Sequence, residues 1–360
     1  MIKTYQYRIY PTIEQEQALE QVLSLCCELY NACLTERREV YRLHKKSLSR
    51  YDQQRELVEV KQVDERFRLI PSHVLQDTVH RVDKAYQAFF RRLKQNTGKA
   101  GFPRYRSRRR YNTFTFPDLS GFKVENNRLK LLRIGDIRII LHRPLPVNIK
   151  QLHVSRKASG WYALFVADVP TIPLPSTGRK TGVDAGIESF MTTSEGEFFD
   201  NPKFLRQSTK KLRRKQRQVA RSKRGSQRRR KRVQELARLH EHIVNQRRDY
   251  IFKVVKSLVQ RYDVIAVEDL RISNMVQNHH LAQSILDAAW GLFFAILTSK
   301  AEEAGRQVIA VNPRNTSQQC SRCGTFVPKN LGMRWHECPV CGLSVHRDVN
   351  AAINILQLAG

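Results

Sequence analysis

The chain has 360 residues, of which 64 are Lys or Arg and 33 are Asp or Glu, so its formal net charge is +31. Self-repulsion of that size is tolerated when a polyanion neutralises it, which disfavours an enzyme for small neutral substrates and points to nucleic acid. The hydrophobic share of 41% excludes a basic disordered tail, and the length suits two or three domains.

The predicted elements begin with an alternating strand over residues 2–9, ended by Pro11. No apolar signal segment opens the chain, and no unbroken apolar run approaches the roughly 18 residues of a membrane span; an intracellular protein is expected. Thr12 and Gln15 have the spacing of a capping box, and a helix to about His44 follows, with Leu19, Val22, Leu23, Cys26, Tyr30, Cys33 and Leu34 on one face. Cys26, Cys27 and Cys33 therefore read as core residues. After a charged region, Pro71-Ser72 opens a second helix.

Residues 91–110 hold nine Lys or Arg and no acid. Within them, Arg104, Tyr105, Arg106, Arg108, Arg109 and Arg110 mix cations with an aromatic ring, the chemistry of a nucleic-acid contact. Residues 113–168 alternate between frequent turns and read as an antiparallel region, a small barrel that includes the first strand. Three prolines, Pro170, Pro173 and Pro175, mark a linker.

A three-stranded meander is expected after Arg179, through Thr181-Gly182-Val183-Asp184, Ser189 to Thr193 and Glu195 to Phe199. A long basic helical region follows over 203–260, broken at Gly225-Ser226. From Lys210 to Arg232 there are 14 cations and no acid, among them Lys210, Lys211, Arg213, Arg214, Lys215, Arg217, Arg228, Arg229 and Arg230. These are candidates for phosphate contact, although a charge run is often a solvated face. Asp263 to Glu268 reads as a buried strand, 274–280 as a flexible loop containing His279 and His280, 282–304 as a helix, and 306–311 as a short strand. A final helix begins near Asp348.

Cys320, Cys323, Cys338 and Cys341 form C-x2-C, a gap of 14, and C-x2-C. Two such turns supply four thiolates to a tetrahedral zinc, and with all positions taken by sulfur the site is structural. Gly324 and Gly342 follow the second Cys of each pair, where a tight knuckle needs an unhindered backbone. His336 reads as a bystander.

Asp184, Glu268 and Asp348 share an oddity: each borders an apolar element, where a carboxylate is costly unless paired or bound to a cation. Taken singly they stay open as strand-end acids or, for Asp348, as a helix N-cap. Taken together, three converging carboxylates can hold two hard divalent cations about 4 Å apart for phosphodiester hydrolysis, with magnesium or manganese favoured over zinc. Their order along the chain fits an RNase H-like nuclease domain.

The combination resembles the TnpB family, the transposon-encoded proteins labelled OrfB, relatives of the type V CRISPR effector nucleases. The residues that carry the resemblance are Gly101-Phe102-Pro103-Arg104-Tyr105, Gly182-Val183-Asp184-Ala185-Gly186 and Ile265-Ala266-Val267-Glu268-Asp269-Leu270. Further along they are Asn315-Thr316-Ser317-Gln318-Gln319-Cys320-Ser321-Arg322-Cys323-Gly324, Cys338-Pro339-Val340-Cys341-Gly342 and His346-Arg347-Asp348-Val349-Asn350-Ala351-Ala352.

The resemblance implies a multidomain α+β protein. Residues 1–10 and 101–170 would form a wedge-type β-barrel, with 11–100 as a helical recognition insert. Residues 178–317 and 346–360 would form a RuvC-like nuclease domain, interrupted by a zinc ribbon at 318–345. It implies an RNA-guided, divalent-metal-dependent DNA endonuclease encoded by a transposon, cutting beside a short adjacent motif. Asp184, Glu268 and Asp348 would be its catalytic acids and the four cysteines its zinc ligands. Guide RNA and double-stranded target DNA would be the partners, in the cytoplasm at the nucleoid. Only 12 residues follow Asp348, fewer than in many relatives, a departure that leaves RNA contacts from a tail open but not the metal site. A guided DNA-binding regulator, or a DNA transposase or recombination protein, remains the alternative.

Overall fold

The structure, a computed structural model, describes residues 1–95, 100–330 and 332–360. The chain divides into two units, Met1–Pro170 and Thr171–Gly360.

In the first unit, β1 (Ile2–Tyr10) turns Tyr7 and Ile9 into the core, as its alternation requires. The expected capping box then starts α1 (Ile13–His44): the Gln15 amide donates to Thr12 Oγ1 and the Thr12 amide to Gln15 Oε1. Cys26, Cys27 and Cys33 are buried in the core, and burial pushes the Cys26 thiol up to about 11. The charged region after His44 is itself helical. Its helix α2 (Arg50–Val63) has a second capping box, from Ser49 and Asp52, and a short 3-10 turn leads to α3 (Ser72–Gln95).

Six further strands follow: β2 (Thr113–Phe116), β3 (Phe122–Glu125), β4 (Arg128–Leu131), β5 (Gly135–Ile140), β6 (Asn148–Lys157) and β7 (Gly160–Asp168). The sheet runs β2-β6-β7-β1-β5-β4-β3, with every pair antiparallel. The expected small barrel takes the form of a curled sheet that includes the first strand; among the described residues no ladder joins the edge strands β2 and β3. Their rings meet instead, Phe116 edge-on to Phe122 at 6.2 Å and Phe122 against Phe165 at 5.9 Å. The sheet therefore curls around an aromatic core, and side chains take the place of main-chain hydrogen bonds at the seam.

The second unit is built on a mixed sheet of order β10-β9-β8-β11-β12. Its strands β8 (Lys180–Asp184), β9 (Ser189–Thr193) and β10 (Phe198–Asp200) form the expected meander. The basic helices α4 (Phe204–Ala220) and α5 (Gln227–Arg261) break where Gly225-Ser226 predicts, with Ser226 as the N-cap of α5. Then come β11 (Val264–Glu268), a short α6 (Ile272–Met275), α7 (His279–Ala288), α8 (Trp290–Ala304) and β12 (Gln307–Val311). The ribbon contributes β13 (Trp335–Glu337) and β14 (Ser344–His346), and α9 (Arg347–Leu358) closes the unit.

Two expectations fail between 272 and 304. His279 and His280 open a helix rather than lie in a flexible loop, because Asn278 caps it by accepting from the His280 amide at 3.1 Å. The single helix over 282–304 is two, broken at Ala289, whose φ of +56° is left-handed. By length and composition, His279–Ala304 is apolar enough to cross a membrane, although no unbroken apolar run in it reaches that length. Its break, and the burial of Ile285, Trp290, Phe293 and Leu297, fit a core element.

Candidate functional site

The sheet of the second unit places the acids. Strands β8 and β11 are parallel, and their register pairs Val183 with Val267, which sets Asp184 beside Glu268 at the carboxyl ends. Alternation then fixes the faces. Val183 and Val267 pack into the core with α5 and α8, while Ala266 packs with Ile355 of α9. Asp184 and Glu268, one residue on from the valines, therefore lie on the α9 face. On that face α9 sits directly on β8. A Cβ at Gly182 would lie 1.9 Å from the Ala352 carbonyl oxygen, so only glycine admits the helix there.

Asp348 is not an N-cap. His346 is, its Nδ1 accepting from the Asp348 amide at 3.2 Å, and Asp348 occupies the first turn of α9. The His346 ring is edge-on to Phe198 at 4.9 Å and to Trp335 at 6.1 Å. The three acids thus come from a strand of the meander, the central parallel strand and the last helix, and they meet electrostatically. Burial, together with repulsion from Glu268 and Asp348, holds the Asp184 carboxyl well above the usual range, with Arg347 offsetting part of it. Burial also raises Glu268, opposed by the Thr316 hydroxyl, which donates to its Oε1 at 2.6 Å. Asp184 and Glu268, both costly to ionise where they lie, with Asp348 near enough to repel Asp184, are a donor set that a hard divalent cation would satisfy.

The thiols are clustered independently. Cys320 and Cys341 have their sulfurs 3.6 Å apart, Cys323 and Cys338 3.5 Å, and all four lie within 4.8 Å of one another. A tetrahedron with Zn–S bonds of 2.3 Å has edges of about 3.8 Å, so the donor set fits a zinc-type ion. Among the described residues it is the one group of three or more such ligands packed so tightly. The two knuckles match atom for atom. The Gly324 amide donates to the Cys320 carbonyl and the Gly342 amide to that of Cys338, both glycines having positive φ. His336, the expected bystander, is wholly buried, with its Nδ1 hydrogen-bonded to Lys329.

The basic candidates separate into tied and open groups. The first group sits on an irregular segment of the first unit. There Tyr105 shares a hydrogen bond with Thr35, the Arg106 amide donates to Asn31, and Arg108 pairs with Glu28. Arg104, Arg109 and Arg110 are exposed. On the helical hairpin, Lys215 pairs with Glu235 at 2.6 Å, and Arg229 donates to the Val219 and Ser222 carbonyls. Lys210, Arg213, Arg214, Arg217 and Arg221 instead line a cavity of about 510 Å³ along one face of α4. Lys211, Arg228 and Arg230 lie elsewhere on the hairpin.

Sequence reasoning missed the residues that hold this arrangement. Thr316 is one. Asn350 and Asn354, both buried in α9, are others. Asparagines four apart in an apolar helix were a visible signal, since a buried amide requires partners.

The chain is therefore a mixed α+β protein whose second unit carries three convergent acids and a separate four-thiol knuckle. Comparison with known proteins narrows this. A family model described as "Probable transposase" matches residues 164–279, one described as "Cas12f1-like, TNB domain" matches 290–355, and a "Helix-turn-helix domain" model matches 1–46. In this structure 1–46 is a strand and one long helix.

A Streptomyces pristinaespiralis protein named "Putative RNA-guided DNA endonuclease" is 32% identical over 362 residues, covering 98% of this chain and 88% of that one. The Escherichia coli (strain K12) protein "Putative RNA-guided DNA endonuclease InsQ" is 30% identical, covering 99% and 92%. The "CRISPR-associated endodeoxyribonuclease Cas12f1" of Sulfoacidibacillus thermotolerans is 27% identical over 60% of this chain and 54% of its own. The chain belongs to the TnpB family.

Proposed function

We propose that this protein is a transposon-encoded, RNA-guided DNA endonuclease whose second unit is a RuvC-like nuclease domain. The observation that carries the reading is the meeting of Asp184, Glu268 and Asp348 on one face of a sheet, in a chain otherwise charged +31. Those three acids would hold magnesium or manganese, and Cys320, Cys323, Cys338 and Cys341 a structural zinc. The hard cations supply Lewis-acid assistance to in-line hydrolysis of a phosphodiester.

The chain's own residues do the rest. Burial makes the ionised forms of Asp184 and Glu268 costly, and a bound cation would offset that cost. The exposed face of α4 offers five cations to a phosphate backbone. The first unit would be the wedge-type sheet with its helical recognition insert. Guide RNA would read the target by base pairing, while the protein would grip the backbone and read an adjacent motif. The site of action would be the cytoplasm, at the nucleoid.

Asp184→Ala tests the reading. Loaded with its RNA and given magnesium and target duplex, the variant should lose cleavage by at least about 100-fold while still binding target in a gel shift. Undiminished cleavage would overturn the assignment. A wild-type protein that binds without nicking would favour a guided regulator. Strand-transfer products formed without RNA would favour a transposase.

A further inference from the structure

We propose that Thr316 is a positioning residue that registers Glu268 against the helix bearing Asp348. The proposal rests on the three acids forming a cation site, and its test separates the two ideas.

Thr316 follows β12 and is buried, 4% exposed. Its hydroxyl lies 2.6 Å from Glu268 Oε1 and 3.2 Å from the Pro313 carbonyl. A hydroxyl has one proton, so these acceptors compete. When Glu268 is ionised, the shorter and charge-assisted bond takes the proton. The hydroxyl therefore fixes Glu268 Oε1 from one side while its own carbon frame is anchored beside Pro313.

The backbone of Thr316 is held as firmly as its side chain. Its carbonyl accepts from Asn354 Nδ2 at 2.7 Å, and the same nitrogen donates to Gln319 O at 2.7 Å. Asn350 donates to Gln319 O and accepts from the Ser321 amide, and Gln357 donates to Ser321 O. Residues 350, 354 and 357 are spaced to share one face of α9. Three amide side chains thus lace the segment 316–321 to the helix whose first turn carries Asp348. Thr316 stands where that lacing meets Glu268. The segment also contains Cys320, so the thiol knuckle and the carboxylates share one strap.

Thr316→Val keeps the shape and removes the hydroxyl. The full-length protein would be titrated with Mn2+ alone, with free ion followed by electron paramagnetic resonance. The expected result is an apparent Kd about 10-fold higher, as is typical when a group orienting a metal ligand is lost. T316S should return it to within about twofold. The loss of Mn2+ affinity should exceed what any fall in melting temperature in chelator explains, a separation that a merely structural role would not give.

Wild-type Mn2+ affinity in T316V, or T316S as weak as T316V, would overturn the proposal. If T316V melts early, T316A replaces it with the same expected loss. Glu268→Gln is the control. If it binds Mn2+ like the wild type, the carboxylate reading itself fails. If it loses binding while T316V does not, only the role of Thr316 fails.

Discussion

The two ligand clusters of the second unit are built in opposite ways. The thiols come from residues 320 to 341, and each pair is shaped by its own knuckle, Cys320 to Gly324 and Cys338 to Gly342. The acids come from residues 184 to 348 and have no shared local motif; strand register and the seat of one helix bring them together. The first cluster is a property of short peptides. The second is a property of the assembled sheet. Damage to the thiols should therefore act on folding of the ribbon, and damage to the acids on chemistry in an intact fold.

The largest effect expected from that contrast is at the thiols. Cys338→Ser removes one of four soft ligands, and structural zinc contributes on the order of 10 kcal/mol to small sites of this kind. Zinc content should fall well below one per chain by atomic absorption, and the ribbon should become sensitive to limited proteolysis. Cleavage should go with it, because the strap that holds Thr316 and α9 includes Cys320. If C338S keeps full cleavage, the two clusters are uncoupled.

Gly182→Ala comes next. The added carbon would overlap the Ala352 carbonyl, so α9 must move off β8. Overpacking of this kind costs about 1–3 kcal/mol. The thermal midpoint should drop by several degrees, and cleavage should fall further than that instability explains, since Asp348 moves with the helix. An unchanged midpoint would show that the helix does not rest on the strand.

A smaller effect separates charge from structure. The Asp184 carboxyl is held above its unfolded value, so the folded chain binds more protons than the unfolded chain between the two pKa values. The slope of stability with pH is then negative: the penalty is absent below the unfolded value near 3.8 and grows as pH rises through the raised one. In chelator, D184N should therefore melt a few degrees above the wild type at pH 8. The gap should close in acid, or when magnesium is added to the wild type. Equal midpoints at pH 8 would mean that the acids do not burden the metal-free fold.

The smallest effect concerns the open face of α4. Replacing Lys210, Arg213 and Arg217 by alanine should weaken RNA binding and lower its salt slope by about one for each phosphate no longer neutralised. The same change at Lys215 and Arg229 should alter stability of the hairpin more than the slope, because those side chains already hold Glu235 and the Val219 carbonyl.

What could be read in the sequence follows the same division. The capping box at Thr12, the break at Ser226, the strand ending at Glu268 and both knuckle glycines are local, and each appears where its residues place it. The left-handed turn at Ala289 could not be foreseen, since alanine favours helix and only tertiary packing imposes that conformation. The start of α7 could have been, because Asn278 is a good cap; the polar residues around it obscured the signal. The aromatic seam between β2 and β3 needed the curl of a seven-stranded sheet. The bond from Thr316 to Glu268 joins two segments 48 residues apart, and nothing in either segment names the other.

The close approach at Gly182 has a further consequence. Most pairs of elements in a core are separated by side chains, which can repack and so act as springs. Here one main chain lies against another with nothing between them. The interval between the strand bearing Asp184 and the helix bearing Asp348 is set by hard atomic radii, the least compressible spacer a protein has. This chain sets that interval simply by leaving position 182 without a side chain.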